Sequence, residues 1–391
     1  MTSPMEDTKP GFFGRLSESR RRRRIAKAMA LDHAPQWKLL WYGFTQHKLA
    51  VISLWGLGLL YLVCIFADFF APYDPLRRFP EQNHSPPTVV RFVDAESSLR
   101  LPFIYQRTQQ LDTATFTYTF ADDTSSPFPL RLFVPSEPYK LMGIVPMDVR
   151  FFGTDPDAPP LFLLGTDSLG RDLLSRIIHG GRISLFIGFG GVMLSFGIGA
   201  ILGGLSGFYG GRIDNVIQRT IEVLISVPDI PLWIALSAAL PRDWNTLQVY
   251  LAITLILAVR GWTGLARVVR GKIMSLHEEE FTLAAKAAGA SDRRIIFRHM
   301  LPAFSSYLIV DMTLAIPAMI LGETALSFLG LGIRAPAVSW GTLLQDAQQI
   351  TVIANSPWML APASFVVITI MMFNFIGDGL RDAADPYSQR W

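Results

Sequence analysis

The stretch that decides the fold is Ile183–Gly211, ISLFIGFGGVMLSFGIGAILGGLSGFYGG, which has 29 residues and no charged side chain. As a helix rising about 1.5 Å per residue, it is longer than the hydrocarbon core of a bilayer, which is about 30 Å thick. It therefore predicts a membrane-spanning helix. The whole sequence agrees, because 50% of its 391 residues are hydrophobic and only 17% are charged, whereas soluble domains carry about 25% charged residues.

Five further apolar stretches predict additional spans. They are Leu49–Ala67, Val223–Pro241, Leu247–Ala266, Leu301–Leu329 and Ile350–Gly377. Each is long enough to cross the hydrocarbon core as a helix. We therefore predict an all-α membrane protein with six transmembrane helices.

Three acids lie inside these apolar stretches, namely Asp229, Asp311 and Glu323. Burying an acid in a membrane is costly, so all three are candidates for a transport pathway or for gating. Each acid could instead face a water-filled cavity or pair with Arg260, and Glu323 could have a structural role. Asp229 lies between two prolines, where unwound backbone could line a cavity.

The positive charges predict the orientation of the chain. Arg20–Arg24 is a run of five arginines, and the connection from Arg267 to His299 is the most basic short loop. Basic loops stay in the cytosol, so we expect both termini inside and the segment 71–181 outside. Nucleic-acid binding by the arginine run is disfavoured because no aromatic residues accompany it. A secretory signal is disfavoured because no cleavage motif follows the first apolar stretch.

The long outside segment has a different composition from the rest of the chain. Fourteen of the 26 prolines fall between Ala71 and Leu163. In Thr115–Phe120, the aromatic residues Phe116, Tyr118 and Phe120 alternate with threonines, which is the pattern of a half-buried strand. We predict a mostly β extracytoplasmic insertion, and a proline-rich disordered loop is the alternative.

Signatures of catalysis and of metal binding are missing from the sequence. There is one cysteine, Cys64, and the six histidines have no metal-binding spacing. No phosphate-binding loop and no nucleophile elbow are found. We therefore expect a non-enzymatic chain without a metal site or cofactor of its own. Just before the second span, we expect an ion-pair network of Asp167, Arg171, Asp172 and Arg176.

The loop between the fourth and fifth spans has the features of a docking element. Ser275 and Glu278 have capping-box spacing, which predicts the start of a short helix, and Gly289 suits its end. Ser291 or Asp292 can cap a second short helix. The short helix contains four residues with small side chains, which would let another protein approach closely: Ala284, Ala285, Ala287 and Ala288. The second span also has a face of small residues that predicts close helix packing, within this chain or against a partner: Ser195, Gly199, Gly203 and Gly207.

A resemblance to a known family rests on this loop. The pattern Leu283-Ala-Ala-x3-Gly289-x9-His299-Met-Leu301-Pro302 resembles the E-A-A-x3-G-x9-I-x-L-P signature of ATP-binding-cassette (ABC) importer permeases. Leu283 stands in place of the glutamate and His299 in place of the isoleucine. Further stretches resemble the dipeptide and oligopeptide permeases of the binding-protein-dependent, type I importer family, namely Leu164–Arg176, Gly180–Leu185, Glu323–Gly332 and Gly377–Pro386. The resemblance covers about residues 164–386, with a weaker match over 38–75.

The resemblance implies a type I importer permease in the bacterial plasma (inner) membrane. Such a permease pairs with a second permease, and each of the two docks one cytosolic ATPase that binds ATP and magnesium. An extracytoplasmic binding protein delivers the substrate, lipid surrounds the chain, and no nucleic acid is involved. The coupling residues implied are Ala284, Ala285, Ala288, Gly289, Arg293 and Arg294.

The implied substrate is a peptide or a related small solute. A non-peptide solute such as an opine, a sugar or a metal complex is the alternative. An ion-coupled secondary transporter that uses the buried acids is a further alternative, but the internal repeats expected of one are not apparent. A membrane sensor is disfavoured because the inside segments are too short for an output module.

We expect six successive segments along the chain. These are a cytosolic basic N-terminal segment (1–48), the first transmembrane helix (49–70), the extracytoplasmic insertion (71–163), a motif leading into the membrane (164–182), the permease core with its coupling loop at 271–302 (183–378), and a cytosolic C-terminal tail (379–391).

Overall fold

The computed structural model describes residues 36–93, 98–112 and 117–384. Three features of the sequence analysis lie outside these residues: the arginine run Arg20–Arg24, the aromatic residue Phe116 and the end of the C-terminal tail. The side chain of Tyr118 is not described either, so the predicted aromatic face of that strand stays a prediction.

The described chain is mainly helical. In chain order the helices are α1 Gln36–Gln46, α2 Lys48–Ile65, α3 Ala67–Phe70, α4 Leu173–Tyr209, α5 Gly211–Ser226, α6 Asp229–Ala238, α7 Thr246–Leu276, α8 Glu280–Ala287, α9 Asp292–Arg294, a π-helical turn Ile295–Met300, α10 Leu301–Ala303, α11 Ser305–Phe328, α12 Trp340–Asp346, α13 Ile350–Asn355, a 3-10 turn Pro357–Leu360 and α14 Ala361–Ala384. Five of them are long and apolar enough to cross a membrane: α2, α4, α7, α11, and α14 with its preceding turn.

The third predicted span is a broken one. Helices α5 and α6 meet at an angle of 87°, and counting them as one span gives six. The predicted span over Val223–Pro241 is therefore not one continuous helix, and it breaks just before Asp229, where the flanking prolines indicate unwound backbone. The cause of the break is Pro228, because a proline disfavours helical backbone at the preceding residue, and Val227 is indeed extended. Arg260 stabilises the break by donating hydrogen bonds to the carbonyls of Leu224 (3.2 Å) and Val227 (2.6 Å).

Helices α4 and α7 pack closely along the predicted face of small residues. A Cβ atom at Gly203 would lie 2.5 Å from the carbonyl oxygen of Ala266, and one at Gly207 would lie 2.6 Å from that of Arg270. Only glycine allows the two backbones to come this close. This face therefore packs within the chain.

The segment before α4 contains two small antiparallel sheets. Strands β1 Arg91–Val93, β2 Leu99–Asp112 and β3 Thr117–Pro129 form one sheet, and β4 Arg131–Leu141 and β5 Val145–Gly153 form the other. A single, mostly β insertion is not supported. Proline cannot donate a ladder hydrogen bond, and prolines are frequent in the strandless stretches at both ends of the segment.

Candidate functional site

Helix α8 lies in the loop where the sequence predicts a docking element and is largely exposed, but it begins later than predicted. Helix α7 continues to Leu276 and includes Ser275, whose hydroxyl donates to the carbonyl of Lys272 (2.8 Å). The predicted capping box at Ser275 is therefore wrong, because a serine inside a helix bonds back to the preceding turn. Helix α8 starts at Glu280, after Glu279, whose side chain makes no capping hydrogen bond.

The end of α8 is the one predicted. Gly289 has a φ of +77°, the left-handed conformation that favours glycine. The amide of Gly289 donates to the carbonyl of Lys286 (2.9 Å), and the amide of Ala290 donates to that of Ala285 (3.0 Å). These two bonds form a Schellman motif. A Cβ at Gly289 would have no neighbouring atom within 4 Å, so this end of the helix faces open space.

One face of the loop is free for contact with another protein. Five of the six predicted coupling residues are exposed, namely Ala284, Ala288, Gly289, Arg293 and Arg294, and Ala285 is half-buried. Two large apolar side chains, Phe281 and Leu283, are also exposed on α8. Small and apolar exposed residues flanked by arginines are suited to insertion into a groove of a partner protein.

The opposite side of α8 is fastened to the spanning helices. The buried hydroxyl of Thr282 donates to the carbonyl of Leu276 (2.8 Å), at the end of α7. The His277 ring stacks on the Phe208 ring of α4 with centroids 5.1 Å apart. The Lys286 ammonium of α8 lies 5.3 Å from the centre of the Phe208 ring and also contacts His277. These contacts tie α8 to both α4 and α7. Phe208 and His277 belong to no motif, so neither could be identified from the sequence.

Glu323 is enclosed by the protein and hydrogen-bonded within it. Its side chain is fully buried and accepts hydrogen bonds from the hydroxyls of Ser184 and Ser327, both at 2.7 Å. These hydroxyls in turn accept from the amides of Trp340 and Ile333, both at 3.1 Å. Glu323 thus joins α4 and α11 to the loop that follows α11.

The other two intramembrane acids have different surroundings. Asp229 lies at the break between α5 and α6, with its carboxylate 3.1 Å from the Arg260 guanidinium. Asp311 is half-buried and lines a cleft of about 690 Å³ together with Lys272, Tyr307 and Arg381, among other residues. The three acids therefore occupy three different environments rather than one shared site.

The predicted ion-pair network before α4 is present, with one change. The buried Asp167 carboxylate accepts from Arg171 Nε (2.7 Å) and contacts Arg176. Arg176 also binds Asp346 (3.1 Å), which is 170 residues away in sequence and could not be found from local spacing. Asp172 is a helix cap instead, since it accepts from the amide of Ser175 (2.8 Å), and burial raises its pKa to about 7.

Comparison with known proteins agrees with this architecture. The family model of binding-protein-dependent transport system inner membrane components matches residues 198–388, and that of the N-terminal transmembrane domain of oligopeptide transport permease C matches residues 35–87. The chain is 42% identical over 245 residues to the dipeptide transport system permease protein DppC of Bacillus subtilis (strain 168), covering 62% of this chain and 74% of that protein. The chain belongs to the family of binding-protein-dependent transport system permeases.

Two further proteins are similar to this permease. The oligopeptide transport system permease protein OppC of Haemophilus influenzae is 43% identical over 241 residues, covering 61% of this chain and 75% of the relative. A solved structure of the MetNI methionine ABC transporter in an inward-facing conformation aligns with 55% of this chain and 98% of its own, with a TM-score of 0.44 and 19% identity. The two family matches leave out residues 88–197, which include both sheets.

Membership of the family gives the chain its role. It is the transmembrane permease subunit of an ABC importer, and such subunits are not themselves catalytic. The family works with an ATPase and a substrate-binding protein and resides in the inner membrane.

Proposed function

We propose that this permease carries peptides or related small solutes into the cell, driven by ATP hydrolysis in two partner ATPases. The proposal is supported by relatives that are named for dipeptide and oligopeptide transport. An opine, a sugar or a metal complex would suit the same fold, because in such importers the separate binding protein largely selects the substrate. An ion-coupled mechanism is disfavoured, since the three intramembrane acids lie in three separate environments and form no shared site.

The proposed mechanism rests on helix α8, which is exposed on one face and contacts α4 and α7 with the other. Its outer face, with Ala284, Ala288 and Gly289, would enter a groove of one ATPase, and Arg293 and Arg294 would flank the contact. Its inner face bonds to α4 and α7, so closure of the ATPases would move these helices as a rigid unit. ATP and magnesium would be bound by the ATPases, and a second permease would complete the membrane pathway.

For the pathway itself, Asp311 and Asp229 are the better candidates among the three acids. Asp311 lines a cleft at the ends of α7 and α14, and Asp229 is partly exposed at a break in a span. Backbone that leaves the helical path at membrane depth is tolerated where it lines a cavity or is covered by protein. Glu323 would support the pathway by fixing the loop after α11.

The proposed orientation places α8 and both termini in the cytosol and the two sheets outside. It rests on the positive charges of the loop around α8. In a Cys64→Ala background, which removes the only cysteine, we expect Ser291→Cys to resist a membrane-impermeant thiol reagent in intact spheroplasts. The same cysteine should react in inside-out vesicles, and more slowly once the ATPases are bound.

The matched control is Ser125→Cys, an exposed polar position on β3. It should react in spheroplasts and be protected in inside-out vesicles, the opposite pattern. Labelling of Ser291→Cys in spheroplasts would reverse the proposed topology. Equal labelling with and without bound ATPases would show that the loop containing α8 and Ser291 does not contact the ATPases.

A further inference from the structure

The turn that joins β4 to β5 is strongly apolar and exposed. Met142, Ile144 and Val145 expose 52%, 79% and 51% of their surface. Apolar side chains clustered at the tip of a hairpin are unfavourable in water and usually mark a contact surface. The three residues are neighbours in sequence, so they form one patch.

The structure holds this turn beside the end of the first span. The amide of Met142 donates to the Asp68 carboxylate (3.1 Å). Asp68 lies three residues beyond Ile65, the last residue of α2, a distance of about 5 Å along a helix. Interfacial headgroup regions extend about 5–7 Å beyond the hydrocarbon core. With the end of α2 taken as the edge of the hydrocarbon core, the turn lies at the depth of the lipid headgroups.

Asp68 is itself firmly positioned. Its carboxylate accepts from Arg182 Nη2 (3.0 Å) and contacts the His179 ring, so two residues of α4 hold it. Burial favours the neutral acid, but the hydrogen bonds from His179 and Arg182 outweigh it and keep the pKa of Asp68 below its usual range. At neutral pH the carboxylate remains charged and keeps its bond to Met142.

The apolar patch continues the exposed face of the span. Ile52, Trp55 and Leu59 are exposed at helical spacing on α2. Beyond the end of α2, Phe69 packs against Phe133 of β4 with ring centroids 6.4 Å apart, and Phe133 is exposed as well. An apolar surface thus extends from the spanning helix onto the two-stranded sheet.

We infer that the turn Met142–Val145 inserts into the boundary between headgroups and acyl chains of the leaflet at the C-terminal end of α2. Lipid is the occupant that fits this surface, because the exposed Lys140 beside the patch can meet a lipid phosphate while the three apolar side chains enter the acyl region. The sheet would then be anchored to the bilayer at two points, through α2 and through the turn. This inference depends neither on the transported solute nor on which leaflet is cytosolic.

The test uses the full-length chain in nanodiscs of phosphatidylethanolamine and phosphatidylglycerol. Ile144→Cys in the Cys64→Ala background is labelled with an environment-sensitive fluorophore, and Ser125→Cys, on the other sheet, is the matched control. We expect a blue-shifted emission for the label at position 144 but not at 125. Lipids with a nitroxide near the headgroup should quench the first label several-fold more than the second.

A second variant separates lipid contact from loss of folding. Adding Met142→Ser and Val145→Ser to the labelled chain should weaken the quenching, and the exposed positions of both residues predict that the helical fold is retained. A water-like emission at position 144, equal to that at 125, would overturn the inference. Protection that appears only after a second permease or a binding protein is added would also overturn it, because the patch would then be a protein contact.

Discussion

Replacing Gly289 with valine is expected to uncouple ATP hydrolysis from transport while leaving the permease in the membrane. Gly289 has a φ of +77° and ends α8 through the Schellman motif. A left-handed conformation costs a residue with a Cβ about 1–2 kcal/mol, and a β-branched side chain fits it worst. One or two kcal/mol correspond to a factor of about 5–30 in an equilibrium. We expect a loss of transport in this range, measured per assembled complex in vesicles.

Gly289→Asn is the matched control. Asparagine tolerates the left-handed conformation and is found at helix ends of this type, and a Cβ at this position would have no atom of another described part of the chain within 4 Å. We expect this variant to retain most of the transport activity. Wild-type transport by Gly289→Val, or equal losses in both variants, would show that the backbone conformation at Gly289 is not what couples the permease.

Gly203→Ala is expected to destabilise the membrane core. The added Cβ would lie 2.5 Å from the Ala266 carbonyl oxygen and 2.9 Å from the Ala266 Cα, both of them backbone atoms that cannot move aside alone. Overpacking of this kind costs about 1–3 kcal/mol. The measurement is the thermal unfolding midpoint of the purified chain in detergent, which should fall.

Gly197 lies on the same helix and provides the comparison. A Cβ there would meet nothing within 4 Å, and alanine is favoured over glycine in a helix by about 0.8–1 kcal/mol. Gly197→Ala should therefore leave the midpoint unchanged or raise it slightly. If both variants unfold at the wild-type temperature, the close contact between α4 and α7 does not contribute to stability.

Long apolar stretches predicted most of the helical fold, because a bilayer requires a run of apolar residues of nearly fixed length. The glycine face of α4 was equally readable, since spacing by four places small residues on one side of a helix. Gly289 could be predicted as a helix end because its requirement is local. These features depend on neighbours in sequence, which is why sequence alone sufficed.

Features that depend on distant residues were not predictable in the same way. Asp346 joins Arg176 across the fold, and Asp68 meets His179 and Arg182 at the start of α4. The break between α5 and α6 had a local cause in Pro228, and the two prolines beside Asp229 indicated unwound backbone there, but the contacts of Arg260 with Leu224 and Val227 could not be read from the sequence. The start of α8 was misplaced because a capping-box pattern also occurs inside a helix that has not yet ended.

The two sheets show a further limit of sequence patterns. Alternation of aromatic and polar residues indicated strands, but it could not show that the strands divide into a three-stranded and a two-stranded sheet. Nor could it show that the turn after Leu141 lies beside the first span. Strand pairing is set by contacts between separate segments, and these have no signature in a single strand.

ATP-dependent uptake tests the central claim most directly. The permease, reconstituted in vesicles with its partner permease, its ATPases and its binding protein, should accumulate a labelled dipeptide or oligopeptide only when hydrolysable ATP is present on the side of the ATPases. Uptake should also require the binding protein and persist when ionophores collapse all ion gradients. Uptake that proceeds without ATP and stops when an ion gradient is collapsed would contradict the account.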